Sequence, residues 1–196
     1  MNRPFLIFAA SLIVSVTAGL AHAQSTSDDP DLAIAVVNTI ADVCFQTARG
    51  DPPKHRTAEQ FLLAPLPATP PAFVERFGYI PNWFDLKRKP NNVFVAVGDK
   101  PGACHIIIGN TTQTIEIQAK VATTLAATGF KPVAMGQSAD PAMNDQIFVK
   151  SVSDGYMLVN IHGPRQPLRN GVGEQGAIHV SLMSKEMFES IIKPQR

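Results

Sequence analysis

The stretch QIFVKSVSDGYMLVNIH, residues 146–162, decides the fold that this sequence predicts. Two strand-like runs, 146–153 and 156–162, flank Asp154-Gly155, and an Asp-Gly pair between such runs is the strongest short signal of a β-hairpin. With a two-residue turn at this pair, Ile147 lies opposite His162. One face of this hairpin is apolar and is expected to pack on the core. It carries Phe148, Val152, Met157, Val159 and Ile161.

Strand and helix patterns on both sides of the hairpin predict an antiparallel sheet. Strands that follow one another with tight turns pair antiparallel, and only short helical stretches interrupt them here. The predicted class is α+β, an antiparallel sheet of about five or six strands with N-terminal, central and C-terminal helices packed on one face. Besides the hairpin, the predicted elements are strands over 92–98, 103–109, 130–136 and 177–183, a first helix through Cys44, a helix over 113–128 and a short helix after Ser184.

Residues 49–91 form the least regular part of the sequence. This segment contains eight of the sixteen prolines, but it also carries more large apolar side chains than a linker does. We interpret it as a proline-rich wrapping segment with short helices near 57–63 and 71–77 that lies over the rest of the fold. Residues 24–196 are therefore expected to form a single α+β domain.

The first 23 residues, 1–23, have the pattern of a secretory signal peptide. Arg3 gives a basic start, 5–18 is an apolar run broken only by small hydroxyl residues, and Ala21-His22-Ala23 is a small-x-small cleavage site. The apolar run is too short to cross about 30 Å of hydrocarbon as a helix. The sequence thus predicts a periplasmic or secreted protein with no membrane span after signal cleavage.

The charge of the chain is balanced. The whole sequence holds 17 basic and 16 acidic side chains, and removal of Arg3 with the signal peptide makes the two numbers equal. Binding to nucleic acid generally requires a basic surface that displaces counterions from the phosphates. The composition therefore does not favour a nucleic-acid partner.

The two cysteines, Cys44 and Cys104, are expected to form a disulfide bond. An even number of cysteines in an exported chain favours pairing. Cys44 lies on the apolar face of the first predicted helix, and Cys104 points to the same side of its strand as Ile106, so both face the core. The alternatives are two buried thiols and a catalytic thiol. The neighbouring His105 points to the opposite side of the strand and cannot serve as the base of such a thiol.

The sequence predicts no cofactor. Residues 171–176 match the glycine spacing of dinucleotide-binding loops, but that motif requires a strand before it and a helix after it. Here a loop precedes the glycines and an alternating, strand-like stretch follows them. They therefore predict a flexible loop, and the sequence has no motif typical of lipases, zinc proteases or phosphate-binding loops.

The polar face of the hairpin carries the candidate binding site. If the strand over 177–183 pairs antiparallel with the hairpin, His179 lies diagonally across from His162, at about 7 to 8 Å. Imidazole and guanidinium groups at this spacing suit a small anionic ligand such as a carboxylate. The alternative is a solvated sheet face without function, and a zinc site would need further ligands. The candidate residues are Tyr156, Asn160, His162, His179 and Ser181 on this face and Arg165 and Arg169 in the adjoining loop.

Three functions remain open. The first is an exported, non-enzymatic binding or inhibitor-type protein for a small molecule or a protein partner, which balanced charge and the lack of a catalytic motif favour. The second is a small periplasmic hydrolase or lyase that uses His162 and His179. The third is an accessory subunit of an envelope complex that contacts its partner through aromatic residues within 73–84.

Overall fold

The computed structural model describes residues 29–51, 56–57, 61–68, 82–88, 92–98, 103–133, 140–166 and 174–192. The described strands form a two-stranded hairpin and one eight-stranded antiparallel sheet. The hairpin consists of β1 (Arg56–Thr57) and β2 (Phe61–Leu62). The sheet consists of β3 (Ala64–Leu66), β4 (Asn82–Asp85), β5 (Asn92–Val97), β6 (Ala103–Gly109), β7 (Lys131–Val133), β8 (Met143–Val152), β9 (Gly155–Pro164) and β10 (Glu174–Met183).

Three helices lie in the described part of the chain. The first, α1, has three consecutive segments, namely Leu32–Thr39, a π-helical turn at Ile40–Cys44, and Phe45–Ala48. The second, α2, is Thr114–Ala127, and the third, α3, is Lys185–Ile192. The predicted helix over 113–128 therefore matches α2 closely.

The order of the strands across the sheet is β3-β4-β5-β6-β10-β9-β8-β7. The first four strands run one after another from one edge to the centre. The chain then passes through α2 to the opposite edge, and the last four strands return to the centre, where β10 pairs with β6. Strands β6 and β10, far apart in sequence, thus become neighbours at the middle of the sheet.

The hydrophobic core lies between the sheet and the first two helices. Ile117, Val121 and Leu125 recur at four-residue steps, so they form one stripe along α2. Every second residue of a strand points to the same side, which gives the sheet a matching apolar face. The strand residues in the core include Val93, Val95 and Val97 of β5, Cys104, Ile106 and Ile108 of β6, Met157, Val159 and Ile161 of β9, and Ile178 and Val180 of β10.

The predicted sheet of five or six strands with three helices on one face is wrong, because the described residues form one antiparallel sheet of eight strands with few helices. The additional strands β3 and β4 come from 49–91, which was expected to wrap around the fold. Three consecutive side chains of β4, those of Trp83, Phe84 and Asp85, are all buried, so this strand shows no alternation. In place of the helix near 57–63 the chain forms β1 and β2, and the predicted helix near 71–77 lies outside the described residues.

The C-terminal helix does not share a face with the other two. Its side chain Phe188 stacks on Tyr156 with ring centroids 4.0 Å apart. Tyr156 precedes the core residue Met157 in β9, and alternation therefore directs it to the other side of the sheet. Accordingly, α3 contacts the sheet from the side opposite α1 and α2.

The hairpin forms, but its register differs from the predicted one. The turn residues are Ser153 and Asp154, and Val152 pairs with Gly155. Gly155 has a positive φ of 140°, and a Cβ atom there would lie 2.2 Å from the backbone oxygen of Met183, so the position requires glycine at the start of β9. The pairing is shifted by two residues. Because the shift is even, every side chain keeps its predicted face.

The predicted disulfide bond is confirmed. Cys44, the last residue of the π-helical turn, is bonded to Cys104 of β6, with their Cα atoms 5.2 Å apart. The bond attaches α1 to a central strand of the sheet and closes a loop across 60 positions of the sequence. It lies on the core side, as both cysteines are fully buried.

Candidate functional site

The sheet face opposite α1 and α2, called the second face below, has an apolar half and a polar half. The apolar half is built around Trp83, Ala96 and Ile107, all of them buried, with Leu66 and Phe94 packed against them. The polar half lies on the central and C-terminal strands. It consists of His105, His179, Asn160, His162 and Asp145.

His105, His179 and Asn160 form a row across three adjacent strands. His105 of β6 is the register partner of His179 of β10, and His179 is in turn the partner of Asn160 of β9. Register partners on antiparallel strands point to the same face with Cβ atoms about 5 Å apart. The row therefore brings two imidazoles and one amide together at the centre of the sheet.

The two imidazoles of this row are in direct contact. The Nδ1 atoms of His105 and His179 lie 2.5 Å apart, and the rings meet edge to face at an interplanar angle of 83°. Two imidazole nitrogens at hydrogen-bond distance need one proton between them, with one nitrogen donating and the other accepting. The contact thus defines a coupled pair, called the histidine pair below.

Burial changes the proton affinity of His105. Desolvation lowers the pKa of His105 from its ordinary value of 6.5, because a charged imidazolium loses hydration in a low-dielectric site.

His162 is held by a carboxylate. Its Nδ1 atom lies 2.7 Å from Oδ1 of Asp145, the residue directly opposite on β8. The side chains are 28% and 22% exposed, so both remain accessible from solvent. A carboxylate in this position orients the imidazole ring.

The amide of Asn160 adds a buried hydrogen-bond acceptor to the polar half. Its Oδ1 atom is buried and has no hydrogen-bond partner among the described residues. Such a group costs free energy unless it is paired. It lies beside His179 and two positions from His162, where a bound hydroxyl group or water molecule can donate to it.

The structure brings some of the predicted site residues together and separates others. His162 pairs with Ala177, two positions before His179, so the predicted diagonal arrangement of the two histidines is confirmed. Ser181 lies on the same face, opposite Leu158.

Tyr156 and the two arginines lie away from this centre. Tyr156 is six residues before His162, about 20 Å along the strand, and its ring is covered by Phe188. The Nε atom of Arg165 donates to the backbone oxygen of Met143 at the end of the hairpin. Arg169 lies outside the described residues.

Sequence reasoning missed His105 and Asp145. Alternation had placed His105 on the opposite side from Cys104, which is correct, but only the β6–β10 pairing shows which histidine it meets. Asp145 was missed because the predicted turn set Ile147 opposite His162, whereas the shifted register sets Asp145 there. The sequence signal for both His105 and Asp145 was a polar side chain at a strand position that points to the second face.

The aromatic residues expected to contact an envelope partner are buried where they are described. Trp83 is 1% exposed and Phe84 is 3% exposed, and 73–81 lies outside the described residues. Trp83 belongs to the apolar half of the second face, and Phe84 belongs to the core.

Comparison of the chain with protein families, with curated proteins and with solved structures finds no match. Among the described residues, no group of three or more histidine, cysteine, aspartate or glutamate side chains is arranged to hold a metal ion. No described helix combines the length and the apolar character that crossing a bilayer requires. The polar half of the second face is therefore interpreted from its own geometry.

Proposed function

We propose that this protein is an exported, non-enzymatic binding protein that holds a small oxyanion, such as a carboxylate or a phosphate, on the polar half of the second face. The contact between His105 and His179 carries this proposal. A pair of imidazoles gains a positive charge on protonation, and a positive charge favours an oxyanion.

The arrangement of the face supports a binding site of this kind. The buried apolar half, with Trp83, adjoins the row of His105, His179 and Asn160, so apolar packing lies directly beside the polar groups. Small-molecule sites combine mostly apolar surface with a few polar groups that fix orientation. The helix α2 packs on the core side, which leaves this face uncovered by it.

Export is part of the same proposal. The basic start, the apolar run and the cleavage site within 1–23 predict a signal peptide. The disulfide between Cys44 and Cys104 supports an oxidising compartment, since such bonds persist in the periplasm and outside the cell.

A hydrolase or lyase is the second candidate function, and the pair of His162 and Asp145 favours it. An imidazole oriented by a carboxylate is suited to general-base catalysis. Both cysteines are committed to the disulfide, so neither supplies a nucleophile. Turnover of an ester or phosphoester substrate that is abolished by both His162→Ala and Asp145→Asn would favour this candidate.

Titration with sulfate and with acetate tests the binding function. We expect either anion to bind about tenfold more tightly at pH 5.5 than at pH 8, because a protonated imidazole adds one charge-assisted hydrogen bond. His105→Gln and His179→Gln should each remove most of this pH dependence. Chemical-shift changes followed by NMR give the affinities. Absence of binding at both pH values would contradict the proposal.

A further inference from the structure

We propose that the protein has a separate, buried site for one halide ion, such as chloride, beneath the first turn of α2. The site lies on the core side of the sheet, where α2 packs. It is therefore distinct from the second face and does not depend on the oxyanion site proposed there. Three buried polar side chains carry the proposal, together with the start of the helix.

Each of the three side chains has one polar atom without a hydrogen-bond partner among the described residues. These atoms are Oγ1 of Thr114, Nε2 of Gln118 and Nε2 of Gln175. The three residues are only 3%, 6% and 2% exposed, respectively. A buried polar group without a partner costs free energy, and a ligand that accepts a hydrogen bond from it recovers that cost.

Two glycines allow these polar groups to meet at one place. A Cβ atom at Gly163 of β9 would lie 2.0 Å from Nε2 of Gln118. A Cβ atom at Gly176 of β10 would lie 3.1 Å from the methyl group of Thr114, which is also 3.4 Å from the corresponding position at Gly163. Thr114 and Gln118 are four residues apart on α2 and share one face of it. This face thus lies directly on the backbone of β9 and β10.

An irregularity in β10 directs Gln175 to the same end of the helix. The β6–β10 register shifts between Glu174 and Gly176, so Gln175 is an extra residue between them. Its Oε1 atom accepts a hydrogen bond of 2.8 Å from the backbone N–H of Thr111, three residues before α2. This bond sets the orientation of the amide, and the unpartnered atom is therefore an NH2 donor.

The groups at this site favour an anion because they are mainly donors. Two amide NH2 groups and one hydroxyl group can all donate to a single acceptor atom. The start of α2 adds the positive end of the helix dipole, and anions bind readily at such positions. A water molecule would also need acceptors for its own two hydrogens, whereas a halide ion needs only donors.

The acidic side chains nearest to the site along the chain do not oppose an anion. Glu116 is exposed, and it lies two residues from Thr114, which places it on another face of α2. Asp29, whose backbone N–H donates to Oε1 of Gln113 at the helix start, is paired with Arg88.

Close packing limits the ligand to a single atom. The amide of Gln118 lies against the backbone of Gly163, and all three unpartnered atoms are buried. A carboxylate or phosphate group needs room for several oxygens, whereas a halide ion is close to a water molecule in size. Chloride and bromide lose their hydration more easily than fluoride does, which favours them in a buried site.

Titration of the full exported chain with sodium chloride, followed by proton–nitrogen NMR, tests this inference. Sodium fluoride at the same ionic strength is the reference salt. We expect saturable shifts of the side-chain NH2 signals of Gln118 and Gln175 and of the backbone amide of Gly163. Bromide should reproduce these shifts, and fluoride should not.

Variants test the individual donors. Gln118→Met and Thr114→Val each remove one donor while largely keeping the side-chain volume, and each should weaken chloride binding about tenfold. Thr123→Val is the matched control, because it makes the same change at an exposed threonine of α2. It should leave the affinity for chloride unchanged.

Crystals of the wild type grown in sodium bromide give a test that needs no variant, since an anomalous peak should lie between Thr114, Gln118 and Gln175. A water molecule at this place in the bromide crystals would overturn the inference. Equal shifts in chloride and fluoride, or an affinity unchanged in both donor variants, would overturn it as well. None of these outcomes bears on sulfate binding at the second face, so the two proposals fail separately.

Discussion

At the scale of the residue, the three histidines of the second face show how neighbours determine the chemistry of one side-chain type. His162 faces a carboxylate, whereas His105 and His179 face each other. The first arrangement orients the ring against a carboxylate, and the second joins two rings by one hydrogen bond. The same residue type thus contacts a carboxylate at one position and a second imidazole at another.

His105 should make stability depend on pH. Because burial lowers its pKa below 6.5 in the folded protein, the unfolded chain binds the proton more strongly. The stabilising contribution of the neutral ring is therefore present above the unfolded pKa and is lost as pH falls through the folded pKa. Between pH 8 and pH 5, in buffer without oxyanions, the free energy of unfolding should fall less for His105→Gln than for the wild type. Urea unfolding at each pH measures this, and an equal fall in both proteins would contradict it.

Gly163 is a second residue whose role depends on its neighbour. A Cβ atom there would lie 2.0 Å from Nε2 of Gln118, a buried side chain of α2. Gly163→Ala should therefore destabilise the protein by about 1 kcal/mol, because the buried amide of Gln118 must move aside. In a Gln118→Ala background the same substitution should cost clearly less, because the clashing atoms are gone. Chemical unfolding of the four proteins in this cycle gives the coupling, and a cost unchanged by Gln118→Ala would rule out the clash.

At the scale of the element, two contacts attach α1 to the sheet region. The disulfide joins its π-helical turn to β6, and Arg88, just after β4, forms two hydrogen bonds of 2.6 Å with Asp29 before the helix starts. One contact is covalent and fully buried. The other is an ion pair whose side chains are 20% and 16% exposed.

Replacement of both Cys44 and Cys104 by serine should lower the free energy of unfolding by up to about 4 kcal/mol, since the bond restricts a loop of 60 positions in the unfolded chain. Far-ultraviolet circular dichroism should remain native-like at low temperature, because the sheet itself is intact. Denaturant unfolding of the variant beside the oxidised wild type measures the loss. Full stability in the variant would show that the bond contributes little.

Removal of the Asp29–Arg88 ion pair should lower the free energy of unfolding less than removal of the disulfide does. Asp29→Asn should cost about 1–2 kcal/mol, because it replaces two charge-assisted hydrogen bonds of a largely buried pair. Asp31→Asn is the matched control, as this carboxylate is 63% exposed and lies 3.8 Å from Arg88. It should cost less than about 0.5 kcal/mol. Thermal unfolding compares the two, and equal effects would argue against the Asp29 contact.

At the scale of the whole molecule, the strand order places chain segments distant in sequence at the centre. β6 is bonded to β5 and β10, and β9 is bonded to β8 and β10, whereas β3 and β7 are short edge strands. Amide groups between two strands are protected from solvent, and an edge strand leaves part of its backbone groups unpaired in the sheet.

The rate of backbone amide hydrogen exchange should follow the position of each strand, from slow at the centre of the sheet to fast at its edges. The slowest amides are expected in β6, β9 and β10, which also surround the histidine pair, and the fastest strand amides in β3 and β7. Native-state exchange followed by mass spectrometry or NMR gives the pattern. Faster exchange in β6 than in β3 would contradict the central position of this strand.

The sequence alone determined features that depend on local periodicity. The two-residue period of strands assigns each side chain of β6, β9 and β10 to a face, and it did so correctly even though the hairpin register was shifted by two. The three- and four-residue steps of the helices placed Cys44 on the core side. Together with the even number of cysteines, this led to the confirmed disulfide.

Only the tertiary structure decided which residues meet across elements. The contact of His105 with His179 requires β10 to pair with β6, from which it is separated by α2 and three strands. The pairing of His162 with Asp145 requires the β8–β9 register in which Val152 pairs with Gly155. The strands β3 and β4 are too short, and β4 is too fully buried, to alternate visibly. Local sequence patterns report the side to which a residue points, whereas its partner depends on strand order and register, which arise from packing between distant parts of the chain.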